Sequence, residues 1–212
     1  IHEDIGVVFD TVKFPDTLTA CDLNKIMAGI YKNWDEDEFV GYCARFALPI
    51  DKKFAKFSRG MTMKLSLAAA FSHKAKLLIL DEPTGGLDPA ARNEILDIIQ
   101  EFVCDEEHTV LFSSHITGDL ERITDRIVFI RGGRIIFSED TIELSETRAV
   151  AKFGEEDIPR ISPEEYTGLR KTPFGCEALV TDRRAFAEKY PDIMLCNASV
   201  EDIIVFSSRG VK

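Results

Sequence analysis

The sequence lacks any long hydrophobic run. Apolar stretches such as residues 77–80 and 127–130 are four residues long and none exceeds five, whereas a helix that crosses a bilayer needs about 20 apolar residues. No positively charged segment followed by an apolar one opens the sequence. With 45% hydrophobic and 30% charged residues, the composition is that of an ordinary soluble globular protein.

Positive charge is also scarce. The 212 residues include 26 Lys and Arg against 37 Asp and Glu, a formal net charge of −11. An acidic surface repels phosphate backbones and anionic lipid headgroups, so we expect no nucleic-acid partner and no binding to lipid by charge alone.

Cysteine is sparse and is not arranged for metal binding. The five cysteines form no CxxC pair, and an odd number cannot all pair in disulfides within one chain. We expect free thiols in a reducing cytosol. These cysteines are Cys21, Cys43, Cys104, Cys176 and Cys196.

The glycine pattern shows a more specific absence. None of the 13 glycines is followed by lysine, so the phosphate-binding loop GxxxxGK[ST] does not occur. The sequence also begins with Ile1 rather than Met, and we expect it to be a fragment of a longer protein.

Hydrophobic patterning predicts two modules. Up to about residue 140, buried strands alternate with amphipathic helices, which is typical of a layered α/β domain. Strands are predicted at 5–9, 77–80 and 109–112. Helices are predicted over much of 17–76, and further helices are predicted to begin at 88–89 and at 118. Gly132-Gly133 predicts a hairpin. Residues 141–212 are predicted to form a small α+β unit. Its expected strands are 149–153, 177–181 and 193–196, its helices 182–189 and 199–206, and turn and charged residues dominate 145–172.

The strongest chemical signal follows the apolar run 77–80, where Asp81 and Glu82 come directly after a predicted strand. Ligands of parallel sheets bind at the carboxyl ends of the strands. A carboxylate in this place can hold Mg²⁺, and its neighbour can orient or deprotonate a water molecule. An acidic strand-to-loop junction without any ligand is the alternative explanation.

Three further segments support a site at this edge. Ser58-Arg59-Gly60 begins a predicted helix, whose free N–H groups and dipole attract anions. Residues 85–89 form a glycine-containing loop that ends at Asp88, and His115 ends the next predicted strand. Taken singly, each segment has an ordinary explanation as a helix cap, a loop or a structural histidine.

Together these segments resemble the ATPase domain of ABC transporters. Residues 57–61 (Phe-Ser-Arg-Gly-Met) resemble the signature motif, 77–82 the Walker B strand with the catalytic glutamate, 86–88 the D-loop, and 114–115 the switch histidine. The resemblance covers residues 5 to about 140. Residues 198–203 are similar to the C-terminal appendage of ATP-binding subunits of ABC-2-type bacterial exporters.

This resemblance implies a P-loop NTPase-like ABC ATPase domain in residues 1–140, with a helical subdomain at about 17–76, followed by the α+β appendage. It implies ATP and Mg²⁺ as cofactors, a membrane permease and a second nucleotide-binding subunit as partners, and a peripheral position on the cytoplasmic face of the membrane. Implied catalytic residues are Glu82 and His115, metal ligands Asp81 and Asp10, and nucleotide contacts Ser58, Arg59, Gly60, Met61, Asp88 and Asp10.

Three departures from the family pattern stand out. Asp10 occupies the position of the Q-loop glutamine, and Arg59 and Met61 replace a glycine and a glutamine of the signature. The phosphate loop and the strand before it, which we place beside the Walker B strand, are missing. An apolar parallel strand would then face water at an open edge. Because the phosphate loop is missing, we predict that the chain alone does not hydrolyse ATP. Because the edge is open, we predict that the chain alone is poorly soluble or else pairs with something at that edge.

Two other functions remain open from the sequence. The first is a soluble ABC ATPase acting on ribosomes or DNA, although such proteins usually bring a second ATPase domain, a coiled coil or a basic face. The second is a non-catalytic interaction or regulatory module, against which the presence of Asp81, Glu82 and His115 argues. A permease gene beside the coding gene, or a GxxxxGK[ST] upstream of Ile1 in the reading frame, would separate them.

Overall fold

The computed structural model describes residues 2–11 and 13–209. Contacts between residues divide the chain into two compact units, Ile1–Ile116 and Thr117–Lys212. The predicted boundary after residue 140 therefore differs from the division into compact units, because the hairpin 126–140 clusters with the C-terminal residues. As a statement about domains, that boundary stays a prediction.

The first unit contains a three-stranded parallel sheet and four helices. The strand order is β1-β2-β3, so β2, the strand that resembles Walker B, is paired on both sides. The elements are β1 (Ile5–Val8), α1 (Ala20–Ala28), α2 (Glu36–Arg45), α3 (Arg59–Phe71), β2 (Leu77–Asp81), α4 (Pro89–Val103) and β3 (Thr109–Ser113).

The expected open edge thus does not run along β2. Among the described residues, the unpaired parallel edges belong to β1 and β3.

Helix starts follow the local capping chemistry that the sequence predicts. Ser58 caps α3 by accepting a hydrogen bond from the Met61 N–H at 3.2 Å. Asp88 caps α4, with Pro89 as the first helical residue. α3 and α4 bury their apolar faces in the core of this unit, which includes Leu65, Leu67, Leu78, Leu80, Ile95, Leu96 and Ile99.

The two faces of the parallel sheet differ in their exposure. On one face Val8, Leu78 and Leu80 are buried to 1% exposure or less. On the other face Val7, Ile79 and Leu111 lie in register across the three strands, and Val7 and Leu111 are 45% and 62% exposed. The continuous apolar run 77–80 is typical of a strand covered on both faces. For the described residues this expectation is wrong, because nothing there packs fully over this second face.

The second unit joins a short helix and a hairpin to an antiparallel sheet. Its elements are α5 (Thr117–Ile123), β4 (Arg126–Arg131), β5 (Arg134–Asp140), α6 (Thr141–Thr147), β6 (Ala149–Phe153), β7 (Tyr166–Thr172), β8 (Gly175–Val180), α7 (Arg183–Lys189), β9 (Met194–Asn197) and α8 (Val200–Arg209). The β4–β5 hairpin turns at Gly132-Gly133, both with positive φ, as predicted. The four-stranded sheet has the order β7-β8-β6-β9.

The sheet of the second unit is covered on both faces. One apolar cluster includes Leu179, Ile203 and Phe206, and the other includes Val180, Phe186 and Tyr190. The predicted turn-rich character of 145–172 is only partly right, because α6 ends there and β7 occupies 166–172. β7 carries charges that pair across strands, as Arg170 does with Glu177, and this hides the alternation by which strands are recognised.

Among the described residues, no helix combines the length and the hydropathy that crossing a bilayer requires.

Candidate active site

Two carboxylates lie where β2 ends, and a serine of the neighbouring strand contacts the side chain of the first residue and the backbone of the second. The Ser113 hydroxyl donates to Asp81 Oδ1 at 2.7 Å. The Glu82 N–H points between the Ser113 Oγ, at 3.0 Å, and the Ser113 carbonyl oxygen, at 3.2 Å. Glu82 has φ of 48°, in the left-handed region, a conformation that costs a non-glycine residue about 1–3 kcal/mol. Ser113 therefore positions Asp81 directly and stabilises the strained backbone of Glu82.

His115 completes this group. Its Nδ1 lies 2.6 Å from Glu82 Oε2. Because a carboxylate only accepts hydrogen bonds, Nδ1 carries the proton, and Nε2 is the nitrogen left for a second partner. The histidine side chain is 72% exposed and that of Glu82 27% exposed, so solvent or a ligand can reach the histidine. We call Asp81, Glu82, Ser113 and His115 the carboxylate–histidine cluster.

A second group forms around the first residue of α3. The Arg59 Nη2 pairs with Asp10 Oδ1, and the two side chains are 51% and 41% exposed. The same guanidinium lies over the loop that follows Glu82. A Cβ built on Gly86 would lie only 2.9 Å from Arg59 Nη1, and one on Gly85 would lie 3.6 Å from Nη2. We call Asp10, Arg59, Gly85 and Gly86 the arginine cluster.

The starts of α3 and α4 lie next to each other. A Cβ built on Gly60 would lie 3.7 Å from Leu87 Cδ2. One oxygen of Asp88, Oδ1, accepts hydrogen bonds from the N–H groups of Ala90 and Ala91 at 3.1 and 3.0 Å. The segments that resemble the signature and the D-loop are therefore neighbours within one chain.

The structure thus brings most of the predicted residues into two clusters. Glu82 and His115 are in contact, as their shared sheet edge implies, and Asp81 lies beside them. Asp10 belongs to the arginine cluster rather than to the carboxylate–histidine cluster, because its Oδ1 forms an ion pair with Arg59. The catalytic, nucleotide and metal roles of all these residues stay predictions.

Ser113 is the residue that sequence reasoning missed. The available signal was the register, because Ser113 lies directly opposite Asp81 in the parallel ladder of β2 and β3. A hydroxyl opposite a carboxylate at a shared strand end is a ready hydrogen-bond partner.

The donors in this cluster suit Mg²⁺. This ion prefers oxygen ligands and is usually bound by one or two carboxylates, water and substrate phosphates rather than by a full protein cage. Asp81 offers Oδ2 while Ser113 orients Oδ1. Among the described residues, no group of three or more His, Cys, Asp or Glu is placed to hold a metal ion by itself.

The fold is that of an ABC-type ATPase domain. A solved structure of the ATP binding subunit of an ABC transporter aligns with 67% of this chain and 61% of its own, with a TM-score of 0.58 and 26% identity. The fold class predicted from the sequence is thereby confirmed.

Sequence comparison agrees with the structural comparison. Residues 1–85 match the model of a family described as ABC transporter. The uncharacterized ABC transporter ATP-binding protein YdbJ of Bacillus subtilis (strain 168) is 35% identical over 135 residues, which are 63% of this chain and 44% of YdbJ. The bacitracin transport ATP-binding protein BcrA of Enterococcus faecalis is 30% identical over 164 residues, 74% of this chain and 51% of BcrA.

Residues 1–85 therefore belong to an ABC transporter ATP-binding domain. The chain spans about half the length of the curated relatives it matches.

Proposed function

We propose that this chain belongs to an ATP-hydrolysing subunit that powers a membrane ABC transporter, and that it supplies the hydrolytic and signature parts of the site. The observation that carries this proposal is the contact of Glu82 with His115 beside Asp81, at the carboxyl edge of the sheet. This edge is where ligands of parallel α/β sheets bind.

Each member of the carboxylate–histidine cluster has a task that its geometry supports. Glu82 accepts a proton from, or orients, the attacking water, and the His115 Nδ1–H holds its carboxylate in place. Because a phosphate oxygen only accepts hydrogen bonds, the His115 Nε2 would contact the terminal phosphate as an N–H donor, in the form of the ring that carries a proton on both nitrogens. Asp81 would hold Mg²⁺, which would neutralise phosphate charge. Such phosphoryl transfer depends on positioning and charge stabilisation.

The signature segment has a different task. The first turn of α3 offers backbone N–H groups and the positive end of the helix dipole to an anion. Ser58, Gly60 and Met61, with Asp88 nearby, would contact ATP held by a second nucleotide-binding subunit. Because GxxxxGK[ST] does not occur in the chain, we propose that these residues receive a nucleotide rather than hold it unaided.

The test is an ATPase assay of two proteins. The 212-residue chain alone should show no hydrolysis above background. The same chain joined to a strand–loop–helix segment that carries GxxxxGK[ST], taken from an ABC ATPase with measured activity, should hydrolyse MgATP. Glu82→Gln should lower that rate by about 10²–10⁴-fold, the usual effect of losing a general base.

Glu106→Gln is the matched control, because Glu106 is an exposed carboxylate of the same unit, and it should keep the full rate. Hydrolysis by the chain alone that Glu82→Gln abolishes would refute the proposed division of the site. We call the chain joined to the GxxxxGK[ST] segment the completed domain. If the completed domain binds MgATP but does not hydrolyse it, the non-catalytic module is favoured instead.

Transport, and export in particular, rests on the relatives. BcrA is a bacitracin transport ATP-binding protein, and another relative of this chain is a fluoroquinolones export ATP-binding protein of Mycobacterium tuberculosis. On this basis we propose an exporter with a permease partner at the cytoplasmic face of the membrane. Co-purification of the tagged full-length protein with a polytopic membrane protein is expected. Recovery with ribosomes or DNA would favour the soluble alternative.

A further inference from the structure

The arginine cluster joins two of the chain's departures from the ABC motifs. Asp10 stands where the family has glutamine, and Arg59 stands where it has glycine. The structure pairs these two side chains with each other across 49 positions of sequence. Neither glutamine nor glycine could form this ion pair, so each of the two departures supplies the charged partner of the other.

The position of Arg59 explains why it needs a counter-ion. It is the first residue of α3, where the helix dipole is positive and a cation is unfavourable. The first turn of α3 contains no acidic residue, whereas the first turn of α2 contains three. The Asp10 carboxylate supplies the missing negative charge from another segment.

The same guanidinium touches a third segment. It lies against Gly85 and Gly86, and Gly86 has φ of 67°. A Cβ at position 86 would lie 2.9 Å from Arg59 Nη1, so a side chain there would push the end of this arginine out of its place. Arg59 therefore connects the signature, the loop before Asp88 and the Q-loop position.

We propose that Asp10 is the resting counter-ion of Arg59, and that Arg59 exchanges this carboxylate for the phosphate tail of a nucleotide that reaches the start of α3. The inference rests on the proposed function for the identity of the ligand. A triphosphate carries several negative charges and presents them to a guanidinium in bidentate fashion, so it competes well with one carboxylate.

The weakness of the resting pair favours the exchange. Both side chains are about half exposed, and exposed ion pairs shift a conformational equilibrium by only about two- to five-fold. Such a pair holds Arg59 over Gly86 without trapping it. Exchange would release Asp10 and, with it, the link between the α3 start and the segment that follows β1.

The exchange can be measured by the reaction of arginine with phenylglyoxal, followed by mass spectrometry of the digested 212-residue chain in dilute solution. Asp10→Asn should raise the reaction rate of Arg59 about two- to five-fold, the weight of the lost pair. Arg45, which is paired with Glu101 and 45% exposed, is the internal reference and should not change. Asp16→Asn removes another exposed carboxylate and controls for net charge.

Tripolyphosphate then serves as the probe for exchange. It should protect Arg59 in the wild type, and half-protection in Asp10→Asn should need about two- to five-fold less of it than in Asp16→Asn. An Arg59 rate that is unchanged in Asp10→Asn would overturn the resting pair. Equal or weaker protection in Asp10→Asn, or no protection in any variant, would overturn the exchange.

These outcomes are separate from the fate of the proposed function, which is decided by hydrolysis in the completed domain. A completed domain that hydrolyses MgATP while Arg59 shows no dependence on Asp10 leaves the proposed function intact and refutes this inference. If the completed domain fails to hydrolyse MgATP but the protection of Arg59 depends on Asp10, the proposed function is refuted and this inference is supported.

Discussion

Replacing Ser113 by alanine should weaken the structure and disturb the carboxylate–histidine cluster together. The substitution removes the hydroxyl that donates to Asp81 Oδ1 at 2.7 Å and accepts from the Glu82 N–H at 3.0 Å. It introduces no new bulk and leaves the strand backbone unchanged. Any effect therefore reports these two hydrogen bonds.

The magnitude follows from the partners and their exposure. A hydrogen bond contributes a net of about 0.5–1.5 kcal/mol, and one to a charged group about 1.5–3 kcal/mol. Ser113 and Asp81 are exposed, so water replaces part of what is lost, and we take the low end of both ranges. The expected loss is about 1–2 kcal/mol in the free energy of unfolding, a factor of about 5–30 in the folded population.

The assay is urea unfolding in dilute solution, monitored by the fluorescence of Trp34. This is the single tryptophan of the chain and lies in the same unit as Ser113, so the signal reports that unit. Ser113→Thr keeps the hydroxyl and should retain most of the stability. Ser114→Ala, which removes the hydroxyl that accepts from Ile116 N–H, controls for loss of a neighbouring serine.

A loss below about 0.3 kcal/mol for Ser113→Ala, or an equal loss for Ser113→Thr, would refute the reasoning, since either result means that the hydroxyl contacts carry no net stability. In the completed domain, Ser113→Ala should also lower the hydrolysis rate. Its effect on the dependence of that rate on Mg²⁺ concentration should be no larger than the effect of Asp81→Asn.

Two further predictions concern pH and association. The N-cap hydrogen bond from the Glu38 N–H, followed by contacts with Lys74, lowers the pKa of Asp35 below its ordinary value of 3.8. A depressed pKa means that this stabilisation is complete above 3.8 and is lost as pH falls through the folded-state pKa. The stability advantage of the wild type over Asp35→Asn in urea titrations should therefore vanish in acid, and a constant difference would contradict it. The exposed sheet face should also drive association as concentration rises. Leu111→Lys should reduce it in sedimentation or light scattering, and Val40→Lys, on an exposed helix position, should not; a monodisperse wild-type monomer at all concentrations would exclude this.

Much of the local structure could be read from the sequence, because its causes lie within a few residues. The cap at Ser58 and the Asp88-Pro89 helix start depend on short-range hydrogen bonds and a fixed proline φ. The hairpin at Gly132-Gly133 depends on residues that tolerate positive φ. β7 was missed because its charged residues are satisfied by a neighbouring strand, which a local pattern does not show.

The candidate site divides in the same way. Motif order placed Asp81, Glu82 and His115 at one sheet edge, since parallel strands end together. It assigned Asp10 to metal and nucleotide binding, which stays a prediction, and it did not show the ion pair that Asp10 forms with Arg59. It said nothing of Ser113, whose importance arises only from the register of β2 and β3.

By itself, then, the sequence determined the resemblance to the ABC family, the helix starts at Ser58 and Asp88, the hairpin turn and the absence of GxxxxGK[ST], because each of these depends on contiguous residues. The tertiary structure alone decided that β2 is paired on both sides, that one sheet face is largely open, and that Glu82 adopts a left-handed backbone held by Ser113. It also decided that Arg59 has a carboxylate partner. These features depend on contacts between residues tens of positions apart, and such contacts exist only once the strands and helices have packed.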